Sequence, residues 1–283
     1  MPLPCVNKII IVTRLRTQCC HNYMEECMKR TLFRIVVGCL VLLMHAHAWA
    51  SHPLITDDAG TQGKGKYQLE VNGQYDSDKD TSTGTAVHAR GGEAAIALSF
   101  GIADTTDLVL NQPYQWNKVS GSEKTEKGIA DTVFEVKWRF IEKDGYSLAV
   151  KPGISFASGD EDKGMGTGKT GYHLFLIGSK EMAPLAFHAN LGYIRNENKA
   201  DENVDIWHVS LAATYEIMKD LKIVGNIGME KNPDTAADND PAFLIGGLIY
   251  SINENCDVDF GVKGGLTSSE TDLSLMVGTS IRF

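Results

Sequence analysis

From residue 66 onward, apolar and polar residues alternate in segments of about ten residues. In residues 134–140 every second side chain is aromatic or aliphatic, and those between them are Glu, Lys and Arg. A period of two is the period of a β-strand, whose successive side chains point to opposite faces. No window of this part of the chain has the 3.6-residue period of an amphipathic helix. The segments also have the length of a tilted membrane-spanning strand, which is roughly 9–11 residues.

Twelve such segments follow one another, joined by alternating short and longer connections. The predicted strands are 67–75, 93–101, 107–117, 134–140, 146–156, 171–180, 185–193, 207–215, 221–231, 242–251, 256–266 and 273–283. The short connections are 102–106, 141–145, 181–184, 218–220 and 252–255, and the longer ones are 77–92, 118–128, 158–170, 196–203, 232–241 and 267–271. Short turns on one side and long loops on the other are typical of outer-membrane barrels. The chain is therefore predicted to be an all-β protein, a transmembrane antiparallel up-and-down β-barrel of about 12 strands. An even number of strands puts both termini on the periplasmic side.

Aromatic residues distinguish this barrel from a soluble β-sandwich, which would also show alternation. Most of them lie near the ends of the predicted strands: Tyr67, Tyr75, Tyr114, Trp116, Phe140, Tyr146, Tyr193, Trp207 and Tyr215. Two such bands are expected where a membrane barrel meets the two membrane–water interfaces. The last residue, Phe283, resembles the aromatic signal that the barrel-assembly machinery reads. That machinery is an expected partner, together with outer-membrane lipids and lipopolysaccharide.

The first fifty residues have a different character. Residues 28–50 carry a basic start, an apolar run at 35–44 and a small-residue cleavage site ending at Ala50, which is the order of a cleaved secretory signal. Ten apolar residues are too few to cross a bilayer as a helix, which needs about 20. Met24 and Met28 are both candidate translation starts. The expected division of the chain is an upstream extension at 1–27, a signal peptide at 28–50, a periplasmic segment at 51–65 and the barrel at 66–283.

Cleavage would leave an acidic chain with one cysteine. Residues 1–50 contain six Lys or Arg and two Asp or Glu, so the formal net charge changes from −9 to −13. An acidic exported chain lacks the basic face that nucleic-acid binding needs. Cys256 alone makes no internal disulfide and no cysteine metal cluster. We therefore predict no cofactor, no metal site and no nucleic-acid partner.

Two loop motifs resemble ligand sites but lack required residues. The loop 160–170 ends like a phosphate-binding loop, but Lys163 stands where the first glycine is required and a strand follows instead of a helix. Asp76, Asp78 and Asp80 resemble the start of a calcium loop without its glycine and its closing glutamate. A solvated loop explains these carboxylates, and divalent cations bridging them to lipopolysaccharide phosphates are the alternative.

His208 and Ser210 lie two residues apart and therefore share one face of a strand. An outer-membrane phospholipase uses such a pair, which makes a lipase one alternative function. The alternation points the pair toward the lumen and away from lipid, and no polar residue that would orient His208 is evident from the sequence. We predict that the pair lines the lumen and that the chain is not an enzyme.

Inward-facing polar residues carry the functional signal. The predicted lumen-lining residues are Glu70, Glu135, Lys137, Arg139, Lys151, His208, Asp259 and Lys263. Asp205 is expected on the same face. Mixed charges of this kind line a polar lumen. They would equally pair across neighbouring strands and fill a closed interior, and the sequence leaves both alternatives open.

The start of the mature chain resembles a known family. Residues 52–70 read HPLITDDAGTQGKGKYQLE and lead into the repeated hairpins and the terminal Phe283. This pattern resembles the outer-membrane barrel family named for the MetA pathway of phenol degradation, whose members are described as transporters. The resemblance implies a membrane barrel more strongly than it implies phenol as the solute.

The segment before the first strand suggests a gate. It carries Asp57 and Asp58 among glycines, and we expect it to enter the lumen as a plug by pairing with Lys137, Arg139 or Lys151. The predicted function is an outer-membrane channel or transporter for small hydrophobic or aromatic molecules. A closed structural or adhesion barrel is the main alternative, and a lipase is less favoured.

Overall fold

The computed structural model describes residues 52–80, 87–120 and 124–283. One antiparallel sheet contains the strands Tyr67–Asp80 (β1), Val87–Ala103 (β2), Thr106–Val119 (β3), Glu126–Ile129 (β4), Thr132–Lys143 (β5), Tyr146–Phe156 (β6), Gly171–Met182 (β7), Leu185–Arg195 (β8), Asp205–Met218 (β9), Leu221–Glu230 (β10), Ala242–Asn253 (β11), Cys256–Gly265 (β12) and Leu273–Arg282 (β13). Among the described residues, one 3₁₀ turn covers Glu161–Lys163. Within these ranges no helix is long and apolar enough to span a membrane. The predicted signal peptide and upstream extension lie outside the described residues.

The sheet closes on itself into a barrel. β1 pairs with β2 on one side and with β13 on the other, from Gln68 opposite Arg282 to Ser77 opposite Leu273. β4 and β5 act as one barrel strand interrupted at Ala130 and Asp131, since both pair with β3. The barrel therefore has 12 strands, which confirms the predicted fold class.

Several strands are longer than the sequence predicted. β1 and β2 continue through most of the predicted loop 77–92, and β4 lies inside the connection predicted at 118–128. These extensions carry polar residues on both faces and therefore lack the alternation that predicts a strand. They still form strands, because the backbone hydrogen bonds between strands do not require apolar side chains. The short connections are tight two-residue turns at one end of the barrel. At one of them Asp144 and Gly145 have φ of 54° and 74°, the backbone that a tight hairpin turn requires.

The interior is polar and the outer face is apolar. Lys151 and Lys263 are only 2% exposed, whereas Leu211 on the outer face is 56% exposed. This inversion of the usual soluble pattern is what a lipid-facing barrel needs. Exposed aromatic residues lie at several strand ends, among them Tyr67, Tyr146 and Phe156, whereas Tyr75 and Tyr114 lie inside the longer strands β1 and β3.

Candidate functional site

Residues 52–66 run through the barrel interior and contact its wall on several strands; we call them the N-terminal segment. Asn226 of β10 accepts hydrogen bonds from the backbone N–H of Ile55 at 2.7 Å and of Thr56 at 3.0 Å. The same amide donates to the Thr56 hydroxyl at 2.6 Å. Ser179 of β7 accepts a hydrogen bond from the N–H of Ala59 at 2.9 Å. Polar wall side chains thus satisfy a buried backbone that forms no regular secondary structure.

Asp57 is bound to the wall through its backbone as well. With the Asn190 amide oriented to satisfy both of its polar atoms, it donates to the Asp57 carbonyl at 2.9 Å and accepts from the Asp57 N–H at 2.7 Å. Asn190 lies on β8 and is 1% exposed. A side-chain amide matched to both main-chain groups of one residue sets the depth of the segment in the barrel.

Three small apolar clusters also anchor the segment. Leu54 packs with Ala212 and Val224. Ile55 packs with the cluster of Phe243, Ile245 and Met276, and Ala59 with the cluster of Ala149, Phe175 and Ile177. Each cluster joins one residue of the segment to inward-facing residues of the wall. Apolar burial inside this polar barrel therefore serves to hold the segment.

Asp57 is the centre of a buried charge cluster. Its carboxylate lies 2.7 Å from Lys137 Nζ and 2.8 Å from Lys151 Nζ. Lys151 also contacts Glu135 at 3.4 Å, and Glu135 pairs with His173 Nε2 at 2.8 Å. Buried charges are tolerated when they are paired in this way. The cluster joins the segment to β5, β6 and β7.

Further contacts hold the two ends of the segment. His52 pairs with Asp259 on β12, and both side chains are almost fully buried. The N–H of Gln62 donates to the Asp107 carboxylate at 2.9 Å, and the N–H of Gly65 donates to the Gly101 carbonyl at 2.7 Å. The segment is thus held along its whole described length.

Two cavities lie within the described barrel. The long-loop cavity, of about 480 Å³, has apolar walls at Pro113, Ala130, Met165, Tyr172, Ile194 and Pro233 and polar groups at Glu93, Gln115, Asp131 and His173. The short-turn cavity, of about 560 Å³, is lined largely by charged residues, including Asp57, Asp58, Glu70, Asp107, Lys137 and Lys151. The two cavities have no lining residue in common. Glu135 contacts both His173, which lines the long-loop cavity, and Lys151, which lines the short-turn cavity, and so connects the two cavity walls.

All eight residues predicted to line the lumen lie on the inner face of the barrel. Besides those of the charge cluster, Glu70 accepts from the Ser280 hydroxyl at 3.3 Å, and Lys263 pairs with Glu270 at 2.9 Å. Of the three cations predicted to pair with the segment, Lys137 and Lys151 contact Asp57. Arg139 instead pairs with Glu142 at 3.0 Å. Asp58 lies at 3.9 Å from Lys137, a longer contact than that of Asp57.

The prediction for Asp205 was wrong. It lies on the outer face of β9, where its carboxylate is 2.8 Å from Arg195 of β8. Asp205 has the same strand parity as the outward-facing Trp207, so the alternation itself requires this orientation.

The prediction that His208 has no orienting partner was also wrong. His208 Nδ1 lies 2.9 Å from Glu230, and its Nε2 lies 3.0 Å from the Ser210 hydroxyl. A serine, histidine and carboxylate in this order have the connectivity of a hydrolase triad. Ser210 is 1% exposed, however, and it lines neither cavity. A nucleophile needs room for a substrate carbonyl beside it, so this arrangement fills the interior instead of presenting a reactive group.

Sequence reasoning missed the wall residues that bind the segment's backbone, namely Asn190, Ser179 and Asp107. Each is a polar residue at an inward position. Each binds the segment only because the folded barrel places it next to a particular backbone group. Glycines in strand interiors were a usable signal, because they often mark a close backbone approach. A Cβ on Gly261 would lie 2.5 Å from Pro53 Cβ.

Residues 48–283 match the family described as "Putative MetA-pathway of phenol degradation". The chain belongs to this family. As a member of the phenol-degradation family, it is similar to an outer membrane channel from Pseudomonas putida, at 11% identity over 80% of this chain and 98% of that one, with a TM-score of 0.62. The NanC porin is similar at 14% identity over 75% and 98% of the two chains, with a TM-score of 0.52. The KdgM porin is similar at 13% identity over 76% and 99%, with a TM-score of 0.50.

No curated protein matches the chain in sequence. At these low identities the solved structures show the fold alone. That fold is the outer-membrane type of antiparallel barrel.

Proposed function

We propose that this member of the phenol-degradation family is an outer-membrane channel for small solutes, closed by its own N-terminal segment. The observation that carries the proposal is the position of Asp57. Its carboxylate lines the short-turn cavity and binds Lys137 and Lys151 there. Lys151 is linked through Glu135 to His173, which lines the long-loop cavity. This charge cluster holds a removable segment across the barrel interior, which is the arrangement that a gated channel requires.

The long-loop cavity supports a solute that is mostly apolar and carries one polar group. Apolar side chains contribute most of its exposed surface, and Glu93, Gln115 and His173 place polar groups on its barrel wall. Charged residues line its loop side, namely Glu161, Asp162, Arg195, Lys199 and Glu202. Its volume falls within the roughly 300–1,000 Å³ range of small-molecule sites. A single-ring aromatic compound with a hydroxyl or amino group fits this description. The short-turn cavity, with its charged lining, suits a hydrated exit path.

Passage between the cavities requires the segment to move. Withdrawal of the segment takes Asp57 and Asp58 away from the buried Lys137, and breaking a buried ion pair costs on the order of 3–5 kcal/mol. The backbone hydrogen bonds to Asn226 and Ser179 add about 1 kcal/mol each. An unaided opening is therefore rare, and we expect solute binding or a periplasmic partner to favour the open state.

The test is conductance in planar bilayers, paired with uptake of a labelled aromatic by a strain that lacks the gene. Deleting residues 52–65 should raise conductance strongly, and Asp57→Asn should raise the frequency of openings. Asp58→Asn is the matched control, since it removes the same charge from a side chain 3.9 Å from Lys137. Unchanged conductance in the deletion variant would remove the gating proposal.

A closed structural barrel is the second candidate, and the continuous anchoring of the segment favours it. It predicts that uptake is unchanged when the gene is deleted. If the deletion variant conducts but uptake does not depend on the gene, the segment is a plug and the solute class is wrong.

A further inference from the structure

Cations gather on the outer face of β1 to β4 at the long-loop end of the barrel. They are Lys79, Arg90, Lys118 and Lys127, with the His88 imidazole among them, and all five side chains are exposed. We call them the cationic row. They lie on neighbouring strands and share the outward face with Tyr75 and Tyr114, as the alternation of burial requires.

The register brings two like charges directly opposite one another, since Arg90 is opposite Lys118. Lys79 is opposite the His88 imidazole. Like charges at opposed positions destabilise an antiparallel pair. In the described part of the chain, no ion pair joins any member of the row to a carboxylate. The acids of the same strands, Asp76 and Asp78, point to the inner face.

The row begins where the aromatic band ends. Trp116 pairs with Gly92 on one side and Lys127 on the other, and its ring covers Gly92, where a Cβ would lie 2.4 Å from the ring. Nearer the middle of the barrel the exposed residues are apolar, as at Ile96 and Leu110. Aromatic residues mark the level of the lipid headgroups, so the cations beyond them lie where lipid phosphates are found.

Three other cations at this end of the barrel pair with carboxylates. Arg195 pairs with Glu197 and Asp205, each at 2.8 Å. Lys163 pairs with Asp160, and Lys199 pairs with Glu161. The cationic row, in contrast, has no carboxylate partner among the described residues, which indicates an anionic ligand on the outer face of these strands.

We propose that the cationic row binds the phosphate groups of a phosphorylated glycolipid in the outer leaflet. Arg90 presents a planar fork that matches phosphate oxygens, and Lys118 adds a second positive charge across the strand pair. A bound phosphate also removes the repulsion between these two residues. This inference concerns the lipid neighbour of the barrel and not its solute, and it assigns the long-loop end to the outside of the cell.

The experiment measures binding of diphosphorylated lipid A to the full protein in dodecyl maltoside micelles by native mass spectrometry. The double variant Arg90→Gln/Lys118→Gln should bind roughly tenfold more weakly, because each cation near an anionic lipid surface contributes to affinity. Lys143→Gln/Lys219→Gln, which removes two exposed cations from the short-turn end, is the matched control and should bind like the parent. Binding by the parent should also weaken between 0.1 and 1 M salt, since exposed charges are screened.

Equal binding by both double variants would overturn the proposal, as would equal binding of the dephosphorylated lipid. Competition by inorganic phosphate at the lipid's own concentration would point to a free-phosphate site and would also overturn it. Heat-dependent gel mobility verifies that each variant is folded, and Arg90→Lys/Lys118→Arg should restore binding. Conductance is expected to be the same in all these variants, so failure here leaves the channel proposal untouched.

Discussion

Gly247 and Gly261 lie at inward positions of β11 and β12, where Pro53 packs against both. A Cβ at Gly261 would lie 2.5 Å from Pro53 Cβ, and one at Gly247 would lie 2.8 Å from Pro53 Cγ. Glycine is needed at these two positions because Pro53 approaches the backbone closely, and not because the backbone adopts an unusual φ angle. The wall is therefore shaped for the segment residue by residue.

Substitution of one of these glycines tests that fit. Gly261→Ala should displace Pro53 and loosen the start of the segment, because atoms cannot approach this closely. We expect more frequent channel openings in planar bilayers while the barrel remains folded. Gly246→Ala is the control, since a Cβ there meets nothing within 4 Å. Equal opening frequencies for the two variants would contradict the close-packed arrangement.

The buried Ser210, His208 and Glu230 group gives a second residue-scale prediction. Ser210→Ala removes one hydrogen bond of 3.0 Å and should cost about 1 kcal/mol of stability. It should leave hydrolysis of a short-chain phospholipid at the background level of the parent protein. Loss of a measurable parent activity in this variant would instead establish the lipase alternative.

At the scale of elements, two long loops are joined over the long-loop cavity. The N–H of Lys199 donates to the Thr167 carbonyl at 3.0 Å, and the Lys199 ammonium pairs with Glu161. Asp131 adds hydrogen bonds at 2.9 Å to the N–H groups of Gly159 and Thr167. These contacts tie loop 157–170 to its neighbours instead of leaving it extended into solvent.

The loop contact predicts a pH dependence. The hydrogen bond from Lys199 lowers the pKa of Glu161, so the pairing contributes fully above the ordinary carboxyl pKa and is lost as pH falls through the lowered value. Amide hydrogen exchange in 157–170, corrected for its intrinsic pH dependence, should therefore accelerate only in strongly acidic solution. Glu161→Gln should show the faster exchange at pH 7 and lose the pH effect. Asp162→Asn is the neighbouring control, and the same behaviour in both variants would argue against the pairing.

At the scale of the whole molecule, the barrel and the segment are separable. Each barrel strand is hydrogen-bonded to its two neighbours, and β13 closes the circle by pairing with β1. Residues 52–65 belong to none of these strand pairs. Deletion of 52–65 should leave a barrel whose gel mobility still changes on heating. It should unfold at a lower temperature, since it loses three apolar clusters and the buried Asp57 pairs. A deletion variant that never gives the folded band would show that the segment is part of the folding core.

The sequence by itself determined the barrel. Alternation is a local property, so the sequence of each strand, such as 134–140, indicates which of its faces meets lipid and which meets the interior. The alternation of short and long connections then set the number of strands and their antiparallel order. The opening residues and the charges of Asp57, Lys137 and Lys151 were enough to predict that the N-terminal segment is a plug. They did not predict which cations of the barrel wall would bind it.

Only the tertiary structure decided which inward-facing residues contact one another or the N-terminal segment. Asn190 and Asp57 are 133 positions apart in the numbering, and no local pattern relates an inward amide to the backbone group it binds. Glu230 reaches His208 because β9 and β10 pair in one particular register. The cationic row likewise exists only once Arg90 and Lys118 are placed opposite each other. The physical reason is that side-chain direction depends on sequence parity, whereas contact depends on strand register and on closure of the barrel.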